Sequence, residues 1–161
     1  MPSALPPDFA ALMARGVSVI VASRDQALRP SIMRAVGSRV DAGGEDITVY
    51  LSRPQSRQLL EDIAATGQIA VVFSEPATHR TVQVKATLVQ VRGVEAEDAA
   101  VLAGYLHSME REVGRVGIAA PLTRAMLAHR LEDVVAVRFR PEQAFDQSPG
   151  PRAGTPLGSG R

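Results

Sequence analysis

Arg34, Arg39, Ser56 and Arg57 stand out in this sequence, because their types and spacing could hold an anion. A guanidinium fork chelates a phosphate through two parallel N–H bonds. Ser56 and Arg57 fall at the expected start of a helix. Free backbone N–H groups, a hydroxyl and the positive end of the helix dipole make such a place an anion site. Arg34 and Arg39 fall on one expected strand, five positions apart. An odd separation sends side chains to opposite faces, unless a bulge or turn near Gly37 intervenes. If this strand pairs antiparallel with the next, Arg34 approaches the helix start that follows. The same arginines also read as ordinary solvent-facing strand residues. Lys85 is the only lysine, so a codon bias explains the arginine usage equally well.

Other chemistries are missing. There is no cysteine, which removes disulfides, thiolate catalysis, Cys-zinc sites and iron–sulfur clusters. His79, His107 and His129 are widely separated and lack metal-ligand spacing, so no metal site is expected. Neither Gly-x-Ser-x-Gly nor Gly-x-Gly-x-x-Gly occurs, which argues against a serine hydrolase elbow and a Rossmann fingerprint. Glu61-Asp62 and Glu132-Asp133 are adjacent pairs and read as solvated charges. With a net charge of +1 over 161 residues, no global field steers the chain to nucleic acid or an acidic membrane. At 4% aromatic and without tryptophan it offers no stacking platform for single strands. No apolar stretch approaches the roughly 18 residues needed to span a bilayer. The start, MPSALPPDF, has no signal-peptide pattern, and the expected location is cytoplasmic.

The elements that must position these residues follow from periodicity. Residues 1–7 are proline-rich and read as loose, and Asp8 is a candidate cap for a short helix through Phe9, Leu12 and Met13. β-branched or alternating runs at 17–22, 32–40, 47–51, 68–74, 80–92 and 133–140 predict six strands. A turn signal at 41–46 separates the second from the third. Helices are predicted from Ser52 or Ser56 to Gly67, over 95–115 and over 121–130. Residues 147–161, SPGPRAGTPLGSGR after Gln147, read as a flexible Pro/Gly-rich tail following a single domain of 1–146. Short turns between most strands make the pairing antiparallel. The fold class is therefore mainly β with flanking helices (α+β). A six-stranded antiparallel barrel is favoured, because closure removes edges, and an open α+β sheet is the alternative.

Four stretches carry a family likeness. They are Arg34-Ala-Val-Gly-Ser-Arg39, Ile47-Thr-Val-Tyr-Leu-Ser52, Ser56-Arg57-Gln58 and Arg80-Thr-Val-Gln-Val-Lys-Ala86. In order and spacing they resemble the pyridoxamine 5′-phosphate oxidase-like flavoproteins, the FMN-binding split barrels. The resemblance implies that Arg34 and Arg57 grip the FMN phosphate, with Arg39 and Ser56 assisting. It implies that backbone groups of Ala35, Val36, Tyr50 and Leu51 touch the flavin and ribityl chain. Thr81 and Gln83 would approach the ring edge from a facing strand or a partner subunit, in a homodimer with the cofactor at its interface. Gln58 stands where the family often has lysine, and Ala86 where it has glycine. Thr81 takes the place of a glutamine near the ring, and the oxidase's tryptophan-bearing C-terminal segment is not visible. The expected function is an FMN-dependent oxidoreductase acting on an unknown small molecule, and not a true pyridoxamine phosphate oxidase. The alternatives are a non-catalytic cofactor module or a structural dimer without cofactor. A module would hold FMN, the deazaflavin F420 (with Arg39 and Arg53 for its acidic tail) or haem (with His79 as axial ligand).

Overall fold

The structure, a computed structural model, describes residues 5–42 and 44–158. Residues 1–4 of the expected loose start, Gly43 of the expected turn and the last three residues of the expected tail lie outside that range. A short helix α1 (Pro7–Ala14) leads into a hairpin of β1 (Ser18–Arg24) and β2 (Pro30–Arg34). Asp8 lies inside α1 rather than at its cap, which is Pro6. Next come β3 (Gly37–Val40), β4 (Ile47–Ser52) and helix α2 (Arg57–Thr66). Strands β5 (Ile69–Ser74), β6 (Thr81–Ala86) and β7 (Val89–Gly93) follow. Helices α3 (Ala96–Gly114) and α4 (Ala120–Met126) precede β8 (Val134–Phe139), β9 (Gln143–Asp146) and the two-residue β10 (Thr155–Pro156).

These strands form two antiparallel sheets. One has the order β10-β9-β6-β5-β1-β2 and the other β3-β4-β8-β7. Alternation explains the first sheet. On β1, Val19 and Val21 are fully buried, while Ser18, Ile20 and Ala22 are half-exposed on the opposite face. The second sheet is covered on both sides, so β4 is buried at every residue. Ile47, Val49 and Leu51 enter the core between the sheets, whereas Tyr50 joins Val36, Leu102, Val134 and Ala136 in a second cluster beneath α3.

Two expected strands are broken in the structure, because each turns from one sheet into the other. In the run 32–40, Ala35 N–H donates to the Val19 carbonyl in the first sheet (3.0 Å). The very next N–H, of Val36, donates to Tyr50 in the second (2.8 Å). Gly37 follows because α3 closes on it: a Cβ there would stand 2.7 Å from Leu102 Cδ2. The run 80–92 breaks at Thr87 and Leu88. Glu142 holds that corner by accepting from Thr87 N–H (2.9 Å) and Thr87 Oγ1 (2.7 Å). The barrel is thus split into two sheets, and the six expected strands become eight, joined by β9 and β10. The expected tail also departs from its reading. Gly154 N–H bonds the Asp146 carbonyl and Leu157 N–H that of Ala144, so the segment up to 157 folds back along β9. Its leucine finds apolar cover against the core, which the Pro/Gly composition hides.

A buried polar knot ties α3 to the second sheet. Tyr50 Oη donates to Asp98 Oδ1 (2.6 Å). Arg92 donates to both Asp98 oxygens (2.6 and 3.1 Å), and Glu95 N–H completes the capping box (2.8 Å). The Arg92 guanidinium, ahead of the Tyr50 bond, holds the Asp98 carboxyl well below its ordinary 3.8, against the cost of burial. Burial, and then the hydrogen bond to Asp98, push the Tyr50 phenol upward. Tyr50→Phe is expected to cost about 1–3 kcal/mol in urea unfolding, because Asp98 loses a donor with its side chain only 2% exposed. A carboxyl lowered on folding stabilises above its unfolded value and ceases to do so as acid protonates it. The stability gap between wild type and Asp98→Asn should therefore be full at neutral pH and shrink as pH falls below about 3.8. A gap that stays constant into acid would show that the carboxylate charge is immaterial.

Candidate functional site

Helix α2 is placed by its own apolar face and by its ends. Leu59 and Ile63 enter the core. Asp62 accepts from Ser31 Oγ at the start of β2 (2.6 Å) and from Gln58 Nε2 (2.9 Å). The far end of the helix lies by the β1–β2 hairpin, where Ser23 Oγ donates to the Gln68 carbonyl (2.7 Å). Gly67 closes that end at φ +69, where a Cβ would meet the Thr87 carbonyl oxygen at 2.8 Å. The helix therefore runs antiparallel to β2. Six residues of helix span about 9 Å, and three of strand about 10 Å. The amino end of α2 consequently lies toward the Arg34 end of β2.

Ser56 occupies the cap position of α2 without capping it. Its carbonyl accepts from Leu60 N–H, but its Oγ makes no bond to the helix. The residue is 1% exposed, and its Oγ is buried with no partner among the described residues. The first N–H groups of α2 have no intrahelical acceptor, and those of Arg57, Gln58 and Leu59 have no other acceptor among the described residues. The first turn holds no acidic residue, and Arg53 and Arg57 flank it with exposed side chains. This is a positive helix end with an idle buried hydroxyl.

Arg34 lies half-buried on the outer face of the first sheet, where its Nη1 donates to Ser18 Oγ (2.8 Å). The ladders place Arg34, Ile20, Val72, Gln83 and Phe145 in one row across five strands. The neighbouring row holds Ser18, Ser74 and Thr81, with 3.0 Å between the Ser74 and Thr81 hydroxyls. Arg34, Thr81 and Gln83 thus share a face. Arg39 does not join them. It stands opposite Thr48 on the second sheet, pairs with Asp41 (3.5 Å) and lines a crevice against α1 and α3. Ala35, Val36, Tyr50 and Leu51 are buried. Two of their N–H groups and the Tyr50 carbonyl are already paired, so these four build the corner. His79 sits exposed in the β5–β6 turn at φ +61. Ser18 and Ser74 went unnoticed in the sequence, although their period-two spacing from Ile20 and Val72 was visible.

No protein-family model and no curated protein sequence matches the chain. Solved structures do. A candidate pyridoxamine 5′-phosphate oxidase of Lactobacillus delbrueckii is 16% identical over 88% of this chain and 93% of its own, with a TM-score of 0.55. An F420 reductase is 17% identical over 87% and 98%, with a TM-score of 0.57. HutZ, the haem storage protein of Vibrio cholerae, is 15% identical over 88% and 94%, with a TM-score of 0.52. The chain has the split-barrel fold that these proteins share. No helix among the described residues is long and apolar enough to cross a membrane.

A cap hydroxyl that supports its helix costs about 1 kcal/mol when removed. Ser56 Oγ bonds nothing, so Ser56→Ala is expected to leave the unliganded protein within about 0.5 kcal/mol of wild type or slightly more stable. A loss of 1 kcal/mol or more in thermal unfolding would mean that the hydroxyl is structural.

Proposed function

We propose that this chain binds a flavin phosphate, FMN, as a homodimer, and that it is an FMN-dependent oxidoreductase for a small molecule. The observation that carries the reading is Ser56: a buried hydroxyl without a partner, at the open end of a helix rimmed by Arg53 and Arg57. Such a group loses its hydration without compensation unless an acceptor arrives. A phosphate supplies acceptors to Ser56 Oγ, to the first-turn N–H groups and to the Arg57 fork together. Arg34, at the same end of β2, is the second guanidinium of this reading; it leaves the strand on the outer face, opposite to the side on which Ser31 meets α2, and there it donates to Ser18. FMN would supply the redox chemistry, and the protein binds and orients it. The amide of Gln83 and the hydroxyl of Thr81 offer donors and acceptors along the outer sheet face for a ring edge. That face supports the dimer. Ile20, Val72 and Phe145 are half-exposed on it and Ile32 is 65% exposed, an apolar surface that a second copy would cover.

One observation favours a carrier over an enzyme. Gln58, which stands at a position often cationic in the resembled family, spends its amide on Asp62 and adds no charge at the phosphate. In that reading the fold holds FMN, a deazaflavin or haem without turnover.

The absorption spectrum of the purified protein separates these readings. A flavin spectrum supports FMN, a Soret band haem, and a colourless protein deazaflavin or no cofactor. Arg57→Ala should weaken FMN binding by about 1.5–3 kcal/mol. Ser56→Ala should weaken it too while sparing stability, and riboflavin, without the phosphate, should bind less tightly than FMN. Equal affinities across this set would remove the phosphate site. Sedimentation is expected to give a dimer, and a monomer that retains flavin would exclude an interface site.

A further inference from the structure

The outer face of the first sheet carries a second feature that the phosphate site does not use. About two residues along the strands from the Arg34 row, Ala22, Ala70, Lys85 and Gln143 form the next row facing the same way. The two alanines leave a shallow floor where their neighbours in the previous row, Ile20 and Val72, raise the surface. A cleft of about 410 Å³ opens over this floor, within the size range of small-molecule sites. Its walls are polar and long. Lys85 stands on one side and Arg24 on the other, from strands separated by β5 and two residues out of register, about 12 Å apart along the diagonal. Neither has a carboxylate partner among the described residues. Arg24 bonds only the Asp25 carbonyl (3.1 Å), and the Lys85 ammonium lies 5.1 Å from the Phe145 ring. The one acid in the wall, Glu142, is turned to Thr87, which bonds it twice and keeps it ionised.

Two unpaired cations above a flat apolar floor define the complementary ligand. We propose that this cleft is a binding site for a small organic acid with a flat body, whose carboxylate is held by Lys85 and Arg24 and whose body lies on Ala22 and Ala70. A sulfate or phosphate alone would leave the floor uncovered. A neutral flat molecule would leave both cations unpaired. The Gln143 amide, at the end of the row, is placed to bond an edge of the same ligand. The site borders the apolar residues that the dimer reading gives to a second copy, Ile32 in its own row and Phe145 beneath Lys85, so it rests on the cleft staying open beside that interface. It does not require a bound flavin, and its test is made both with and without saturating FMN.

The probe is 2-naphthoate, followed by its own fluorescence, with 2-naphthamide as the uncharged isostere. One saturable site per chain is expected. The amide should bind about tenfold more weakly than the acid, as should the acid to Lys85→Gln or Arg24→Gln, matching the loss of a charged hydrogen bond. Both side chains reach the surface, so these variants are expected to melt like wild type. Ala70→Leu fills the floor and should abolish binding of acid and amide alike. The proposal is overturned if the acid and the amide bind equally, if the charge variants leave affinity unchanged, if Ala70→Leu still binds, or if binding never saturates. Loss of naphthoate binding on adding FMN would place the probe in the phosphate site and also overturn it. Naphthoate binding that persists in a protein unable to hold FMN would leave this site standing while the flavin reading fell.

Discussion

The architecture depends on a change of sheet made within two peptide units. Ala35 still bonds β1, and Val36 already bonds β4. With no residue to spare, the strand that begins in one sheet must end in the other. The two sheets therefore face each other across a common core of Val19, Val21, Val49, Leu51, Val71 and Val137. The corner also separates the arginines on either side of it. Arg34 remains on the outer face of the first sheet, while Arg39 is carried to the edge of the second, beneath α3. A continuous strand would have placed them on opposite faces of one surface. The corner sends them to different sheets, so the two guanidinium groups do not meet.

The same geometry assigns different work to the two faces of each sheet. The inner faces are apolar and closed. The outer face of the second sheet is sealed by α3, with Tyr50, Asp98 and Arg92 as a fully bonded polar anchor. A buried carboxylate is tolerable there because four donors meet it. Among the described residues, no helix lies over the outer face of the first sheet. It carries a mixture of hydroxyls, amides, cations and half-exposed aliphatics that suits ligands or a second copy. One outer face is thus sealed and the other left open.

Much of this was legible in the sequence. The β-branched runs 17–22 and 68–74 marked strands, although the first is buried on one face only, and Gly67 marked the end of α2 at a left-handed residue. The β propensity of Ile47–Leu51 marked a strand, and only the structure shows that it is covered on both sides. The corners were legible only in part. Gly37 allowed a bulge or turn in the run 32–40, but nothing in Thr87-Leu88 marks a break. What turns them is tertiary: Leu102 pressing on Gly37, and Glu142 gripping Thr87 from 55 residues away. For the site, the helix start and Arg34 could be read from spacing. The idle state of Ser56 Oγ could not, because a serine before a helix normally predicts a cap. The cleft between Arg24 and Lys85 was also hidden, since it needs a β1–β5–β6 order that no local pattern specifies.

The pairing of β4 with β8 joins Ile47 to Phe139 and Ser52 to Val134. On a ribosome this has a cost in time. Strand β4, buried at every residue in the folded chain, emerges early, and its ladder partner arrives only after some eighty further residues have been synthesised. Until then β4 presents an unpaired edge and uncovered side chains to every other nascent chain nearby. Maturation of this barrel is therefore sensitive to translation speed and to holdase chaperones in a way that its compact final state conceals.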